Sequence, residues 1–392
     1  MYFAFKKSPM NQEYLRTLLP HTRHTLYMNH AGMAPVSTPV MEAINRYLDL
    51  RHGHDISNFG YALEKAAQLR ERVGKLLGTS SAYVGLAQNT SEALNILTLG
   101  IDWKPGDRIA IPDCEFPANV YPFLHLQRRG VEIDFIPTHE GTFTLEDVEQ
   151  VLTPRTRMLS VSWVQFLSGF KVDLKALGAL CNDHKIWFVV DAIQGFGALQ
   201  LSDTVEACHI DFLATGGQKW LMSVQGQGFF YISPDLFDHL TPPKAGWLHG
   251  PVDWEHLSDY KLTFHEDARR FELGTPNALG IVALEAALAL YQQADPAWCE
   301  SEVLLRAREL REGLTEQGLQ IYGTTDEAHA SGIVSVYHPA PEALHAFLRR
   351  QNIRTATRNA KLRFSPTYYN TSEEVERVLE AVYDFSKVSK EV

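Results

Sequence analysis

Lys219 lies in DFLATGGQKWL (211–221), a short β-rich run that ends in a glycine-rich turn. The glycines allow a ligand to approach the backbone closely. The apolar Trp-Leu flank favours the neutral amine that imine formation with an aldehyde requires. Asp191 closes the hydrophobic run of VVDAIQG (189–195), at the carboxyl edge where open α/β sheets bind their ligands. Thr90 and Ser91 open a helix in LAQNTSEALN (86–95), where free N–H groups and the positive end of the helix dipole suit a phosphate. Each segment also has a plainer reading: a paired structural lysine, a turn aspartate, an ordinary helix cap. Together they supply a lysine to hold an aldehyde, an acid to keep a pyridine nitrogen protonated, and a phosphate cradle. Those are the requirements of pyridoxal 5′-phosphate (PLP), whose protonated ring withdraws electrons from a substrate carbon. The expectation is a PLP enzyme with Lys219 as the Schiff-base lysine and Asp191 on the ring nitrogen.

Such residues need a rigid frame, and the patterning from about residue 60 to 235 provides one. A helix reads through Leu63–Leu77 and stops at Gly78; a second runs from Thr90 to about Leu99. β-rich runs follow at 108–113, 131–137, 157–164, 186–192, 211–215 and 228–233. Helices fall between several of them, one capped by Thr144 and another by Asp173. Strands alternating with helices imply a mainly parallel sheet covered on both faces. After Pro276 the character changes to helices at 279–293, 298–317 and 341–351, a strand-like run at 331–338, and a final helix after Thr371 and Glu374, which have capping-box spacing. The expected organisation is a large α/β domain over 25–280 and a smaller α+β domain from 1–24 with 281–392.

Bulk properties narrow the function classes. A formal net charge of −11 lacks the concentrated basic surface that nucleic acid or an anionic membrane would need. Four scattered cysteines without a CxxC pair predict neither disulfides nor a zinc knuckle and point to the cytoplasm. The N-terminal MYFAFKKSPMNQEY lacks the apolar core of a secretory signal, and no apolar run approaches the ~20 residues of a membrane span. His21 with His24, and His52 with His54 and Asp55, have ligand-like spacing without a third ligand, so no metal is expected.

The motifs resemble the class V aminotransferase family, which includes cysteine desulfurases, isopenicillin-epimerase-like proteins and, more distantly, kynureninases. The segments that carry the resemblance are NHAGMAPVS (29–37), NTSEALN (89–95), DCEFPANVYP (113–122), VDAIQGFG (190–197), ATGGQKWL (214–221), GQGFFYI (226–232), FELGTPN (271–277) and LRFSPTYYNTSEE (362–374). The resemblance implies the aspartate-aminotransferase type of fold, with a seven-stranded sheet, and a homodimer. It implies that Lys219 shuttles the α-proton, Asp191 pairs with the pyridinium, Gln194 contacts the ring hydroxyl and Phe116 stacks on the ring. Thr90, Ser91 and Gln218 would hold the phosphate, and Thr275 would reach it from the partner subunit. Arg363 would bind the substrate α-carboxylate with its bidentate fork, and His30 would face the substrate.

Two departures qualify the match. Many relatives carry Ser-x-His-Lys where this chain has Gly216-Gly217-Gln218-Lys219. Cysteine desulfurases also place a nucleophilic cysteine shortly before the carboxylate arginine, and no cysteine lies between residues 300 and 363. The sequence reading therefore excludes a persulfide-forming cysteine desulfurase and leaves open a C–S or C–Se lyase that forms no persulfide. Transamination, epimerisation and β-elimination on a small amino acid all fit the remaining residues. A catalytically silent binding protein of the same fold is the alternative. An NAD-dependent oxidoreductase is a weaker one, because the GxG of VQGQGFF precedes a strand instead of a helix.

Overall fold

A computed structural model describes residues 11–388; the reading of the first ten residues lies outside the described residues. Seven strands make one sheet. Their spatial order is Val84–Ala87, Gly228–Ile232, Phe212–Gly216, Trp187–Asp191, Thr156–Ser162, Arg108–Pro112, Glu132–Ile136. Gly228–Ile232 runs antiparallel to both neighbours, and every other pairing is parallel. This is the mainly parallel α/β sheet that the alternation of strands and helices implies.

Side-chain alternation along the strands feeds two apolar layers. Leu159, Val161, Phe188, Val190 and Leu213 point to one layer. Met158, Val189, Phe212, Ala214 and Phe230 point to the other. The local signals act where they stand. Helix Phe59–Leu77 ends on Gly78 at φ +69°, in the left-handed region that favours glycine. Helix Leu145–Val151 starts from a reciprocal Thr144/Asp147 capping box, and Asp173 caps Leu174–His184. The sheet's outer strand Val84–Ala87 escaped the sequence reading because VGLA is short and has no alternation. Its Gly85 is dictated by the partner strand, since a Cβ there would lie 2.1 Å from the Phe230 ring.

A second sheet is antiparallel and four-stranded, in the order Ala356–Arg358, Lys361–Phe364, Val334–Tyr337, Ile321–Tyr322. Helix Pro341–Arg350 packs on it, helix Ser372–Val388 packs against helices Pro341–Arg350 and Pro296–Glu316, and the Thr371/Glu374 capping box opens Ser372–Val388. Its core holds Leu26, Met28, Leu310, Leu314, Val336 and Val378. The division between the two cores differs from the expected boundary near 280. Ile281, Leu284 and Leu288 of helix Ala278–Gln293 belong to the core of the large sheet, and so do Cys299 and Val303. That helix is apolar on most of its circumference, so it is buried between other elements instead of opening a new layer. The change of core falls inside helix Pro296–Glu316, before Ala307.

Candidate active site

The register of the large sheet brings the predicted residues to one edge. Asp191 pairs with Ala214 on the adjacent parallel strand, and Gly216 pairs with Gly228, which pairs in turn with Ala87. The Gly216–Lys219 turn, the strand-end Asp191 and the Gln88–Thr90 loop therefore leave the sheet side by side. The approach is tight: a Cβ on Gly228 would lie 2.2 Å from the Thr215 carbonyl oxygen. Gly217 is held by its N–H donating to the Gln227 carbonyl at 2.8 Å.

Lys219 is fixed through its neighbours. Trp220 is fully buried and donates its indole N–H to Gln194 Oε1 at 2.9 Å. The Lys219 carbonyl accepts from Met222 N–H at 2.9 Å in a turn that puts Met222 at φ +55°. Lys219 Nζ lies 5.6 Å from the centroid of the Phe116 ring. Among the described residues no carboxylate comes within ion-pair distance of it. Burial depresses its pKa from the ordinary 10.5 to about 8, the Asp191 charge opposes that, and the charges of Arg363 and Arg358 add to it. Asp191 is pushed in the other direction by burial and by nearby Glu115. Its Oδ1 accepts from Ile193 N–H at 2.9 Å, and no described donor reaches Oδ2.

A depressed lysine pKa has a kinetic consequence. Attack on an aldehyde needs the unprotonated amine, so uptake of PLP by the apo-protein should accelerate with rising pH. The rate should level off well below pH 10.5, the ordinary lysine value. Stopped-flow absorbance across pH 6–10.5 checks this; a rate still climbing steeply at the top of that range would contradict the assignment.

The start of helix Thr90–Gly100 suits a phosphate. The cap is Asn89, whose Oδ1 accepts from Glu92 N–H at 2.9 Å. The plainer reading of Thr90 as the cap therefore fails, and its buried hydroxyl Oγ1 has no partner among the described residues. The N–H groups of Thr90 and Ser91, at the first two helical positions, have no intrahelical acceptor. Ser91 is exposed, and Gln218 is partly buried with its side chain folded over Gly216. Phe116 leaves 44 % of its surface open and meets Phe166 edge-on at 5.3 Å. A planar ring between Phe116 and the strand-end Asp191 would thus have a stacking face, an acid and a phosphate cradle.

Arg363 enters from the smaller sheet. It is 2 % exposed, donates from Nη1 to the Phe166 carbonyl at 2.6 Å, and has a buried Nε with no acceptor. A buried guanidinium with an unused donor and no carboxylate partner is prepared for an anion from outside. Thr275 is exposed, lining a cavity of about 240 Å³ with Ala87, Gln88, Glu92 and Gln227. The 50–58 segment lines an adjoining cavity on the other side of Thr275.

His30 does not face a substrate. It is 0 % exposed, its Nδ1 meets the Ser365 carbonyl at 3.0 Å, and its Nε2 meets the Tyr369 hydroxyl at 2.8 Å. Both ring nitrogens are engaged, and burial drives its pKa to about 3, so it is a neutral packing residue beside Trp220. Gln194 is more constrained than expected: Oε1 takes the Trp220 N–H and Nε2 donates to the Ala31 carbonyl at 3.0 Å. One amide hydrogen and one lone pair of Oε1 are left for a ligand.

Sequence reasoning missed Glu115, although it stands beside Phe116 in EFPAN. Its buried carboxylate accepts from Ser162 N–H at 2.6 Å, from Ser162 Oγ, and from Gln165 Nε2 at 2.7 Å. Ser162 is the register partner of Asp191, so the two acids back onto one another through a single residue. Burial raises the Glu115 pKa. Arg358, whose charge is felt by both Lys219 and Arg363, was also missed.

Comparison with known proteins agrees with this architecture. Residues 26–378 match the family model described as Aminotransferase class-V. A probable cysteine desulfurase of Pyrococcus abyssi is 28% identical over 400 residues, covering 96% of this chain and 98% of that protein. The solved apo cysteine desulfurase of Thermococcus onnurineus superposes with a TM-score of 0.87 at 28% identity, covering 97% of this chain and 99% of that one. A cystine C–S lyase, C-DES, solved with its reaction product cysteine persulfide, superposes with a TM-score of 0.86 at 24% identity over 93% and 99% of the two chains.

These findings overturn the exclusion of persulfide-forming cysteine desulfurases. That exclusion demanded a protein thiol in one segment of the chain. Full-length relatives at 28% identity bear the desulfurase name. A missing cysteine between 300 and 363 therefore does not decide the reaction. The chain belongs to the class V aminotransferase family, and its cofactor is pyridoxal 5′-phosphate.

Proposed function

We propose that the chain acts on an amino acid through Lys219, and that cleavage of a carbon–sulfur bond at the substrate β-carbon is its reaction. The observation that carries the amino-acid reading is the convergence of a low-pKa amine, a strand-end acid and an unpaired buried guanidinium at one sheet edge. The names of the full-length relatives support carbon–sulfur cleavage over transamination and epimerisation. When bound, PLP supplies the electron sink that makes the substrate α-proton acidic.

The protein's own residues do the rest. Asp191 holds a proton on the ring nitrogen, and Gln194 presents its free amide hydrogen to the ring hydroxyl. Phe116, its ring centroid 5.6 Å from Lys219 Nζ, would offer its ring face for stacking. Thr90, Ser91 and Gln218 bind the phosphate by hydroxyl, N–H and amide donors. Lys219, its pKa lowered by burial, takes the α-proton and returns it to the departing group or to the α-carbon. Arg363 clamps the α-carboxylate and so orients the bond to be broken. A homodimer with Thr275 completing the partner's phosphate site belongs to the same proposal; light scattering that found only monomer would remove that part.

Incubating the PLP-loaded protein with L-cysteine or L-cystine tests the reaction. Released sulfide or persulfide sulfur is expected. Exchange of the α-proton or amino transfer without sulfur release would instead indicate epimerase or aminotransferase activity. Arg363→Ala should lower kcat/KM by about 10²-fold or more, mostly through KM, because a charge-assisted bidentate contact is lost. Unchanged KM for the active substrate would reject the carboxylate role.

A further inference from the structure

The hairpin that delivers Arg363 carries another cation toward the same cleft. Strands Ala356–Arg358 and Lys361–Phe364 pair antiparallel, with Ala356 opposite Arg363 and Arg358 opposite Lys361. Facing residues project to the same side of a sheet, and so do residues two apart along a strand. Arg358, Lys361 and Arg363 therefore share one face, the face from which Arg363 reaches the site.

Their charges are not equally engaged. Lys361 Nζ sits 4.3 Å from the Tyr322 ring centroid and 5.0 Å from that of Tyr337. Arg363 lies inside the site. Arg358 is exposed and donates only to the carbonyl of its neighbour Thr357, at 2.7 Å. Among the described residues no carboxylate forms an ion pair with Lys219, Arg358 or Arg363. Arg358 is near enough for its charge to act on both of the other two. Three cations thus converge on a cleft in which one α-carboxylate can satisfy only one guanidinium, while the buried Nε of Arg363 still lacks an acceptor.

We infer that Arg358 is a specificity-determining residue that binds a second anionic group at the far end of the substrate side chain. The preferred substrates are then amino acids whose side chain ends in a carboxylate or a comparable oxyanion. For a carbon–sulfur substrate, that anion lies beyond the sulfur, on the departing group. This inference rests on the amino-acid reading proposed above and adds the substrate class to it.

The test is spectroscopic titration of the PLP-loaded protein with matched pairs, L-aspartate against L-asparagine and L-glutamate against L-glutamine. Binding is read from the change in the cofactor's visible absorption. At least one acidic member should bind about 2- to 5-fold more tightly than its amide, the range open to an ion pair at an exposed arginine. Arg358→Gln should erase that preference while leaving the affinity of the amides unchanged, and Arg358→Lys should restore part of it. Equal affinities within both pairs, or a preference that survives Arg358→Gln, would overturn the inference and leave the amino-acid reading intact. No spectral response to any amino acid would overturn the amino-acid reading, and this inference with it.

Discussion

Lys219→Ala should lose at least about 10³-fold in turnover, because one side chain serves as covalent anchor and as proton shuttle. The substitution should leave the fold standing. Among the described residues Lys219 makes no side-chain hydrogen bond or ion pair, and its turn is held by the Trp220 indole, the Met222 N–H and the Gly217 N–H. Removing a desolvated amine also relieves a burial cost. The variant should therefore purify as a folded protein that still binds PLP through the phosphate cradle, Asp191 and Phe116. Its visible absorption should be displaced from that of the parent protein. Turnover within about 10-fold of the parent would transfer the chemistry to another residue.

The second large effect is expected at Asp191. Asp191→Asn should lower kcat by about 10²–10³-fold, the range for removing a preorganised charge from a buried site. An amide keeps an oxygen for the Ile193 N–H, so strand geometry survives. What it loses is the negative charge that keeps a proton on the ring nitrogen. The sign of the perturbation supports this role. Burial and Glu115 raise the Asp191 pKa, so the isolated acid resists ionisation. A cation placed against Oδ2 reverses that by favouring the carboxylate. Ionisation of Asp191 is thus coupled to the presence of a positive ring, and PLP affinity should fall as pH drops below neutrality. Asp191→Asn should flatten that pH profile, whereas a merely structural aspartate would leave it unchanged.

The candidate site rests largely on residues whose types alone single them out. Lys219, Asp191 and Thr90 each stand where a strand or helix ends, and chain ends of that kind carry strong local signals: glycines, a strand-end acid, a polar turn. Three features could not be read this way. Whether His30 faces a ligand depends on Ser365 and Tyr369, more than 300 residues away. The buried acid Glu115 acquires meaning only from the register of Ser162 against Asp191. Arg358 matters because a hairpin sets it on the face of Arg363. In each case the deciding contact is tertiary, and no local pattern encodes it.

The cores show the same limit. Helix Ala278–Gln293 followed a proline and a change of pattern, which suggested a new domain. Its apolar circumference instead seals the large sheet's layer through Ile281, Leu284 and Leu288. The cysteine argument failed for a different reason. It let one segment decide the reaction, and full-length relatives at 28% identity bear the desulfurase name.

The central claim is that Lys219 is the residue that holds the cofactor. The most direct measurement is borohydride reduction of the PLP-loaded protein, followed by proteolysis and mass spectrometry. Reduction should bleach the visible band and leave a pyridoxyl adduct on the peptide containing Lys219 and Trp220. An adduct on a different lysine, or none after the band has been bleached, would contradict it.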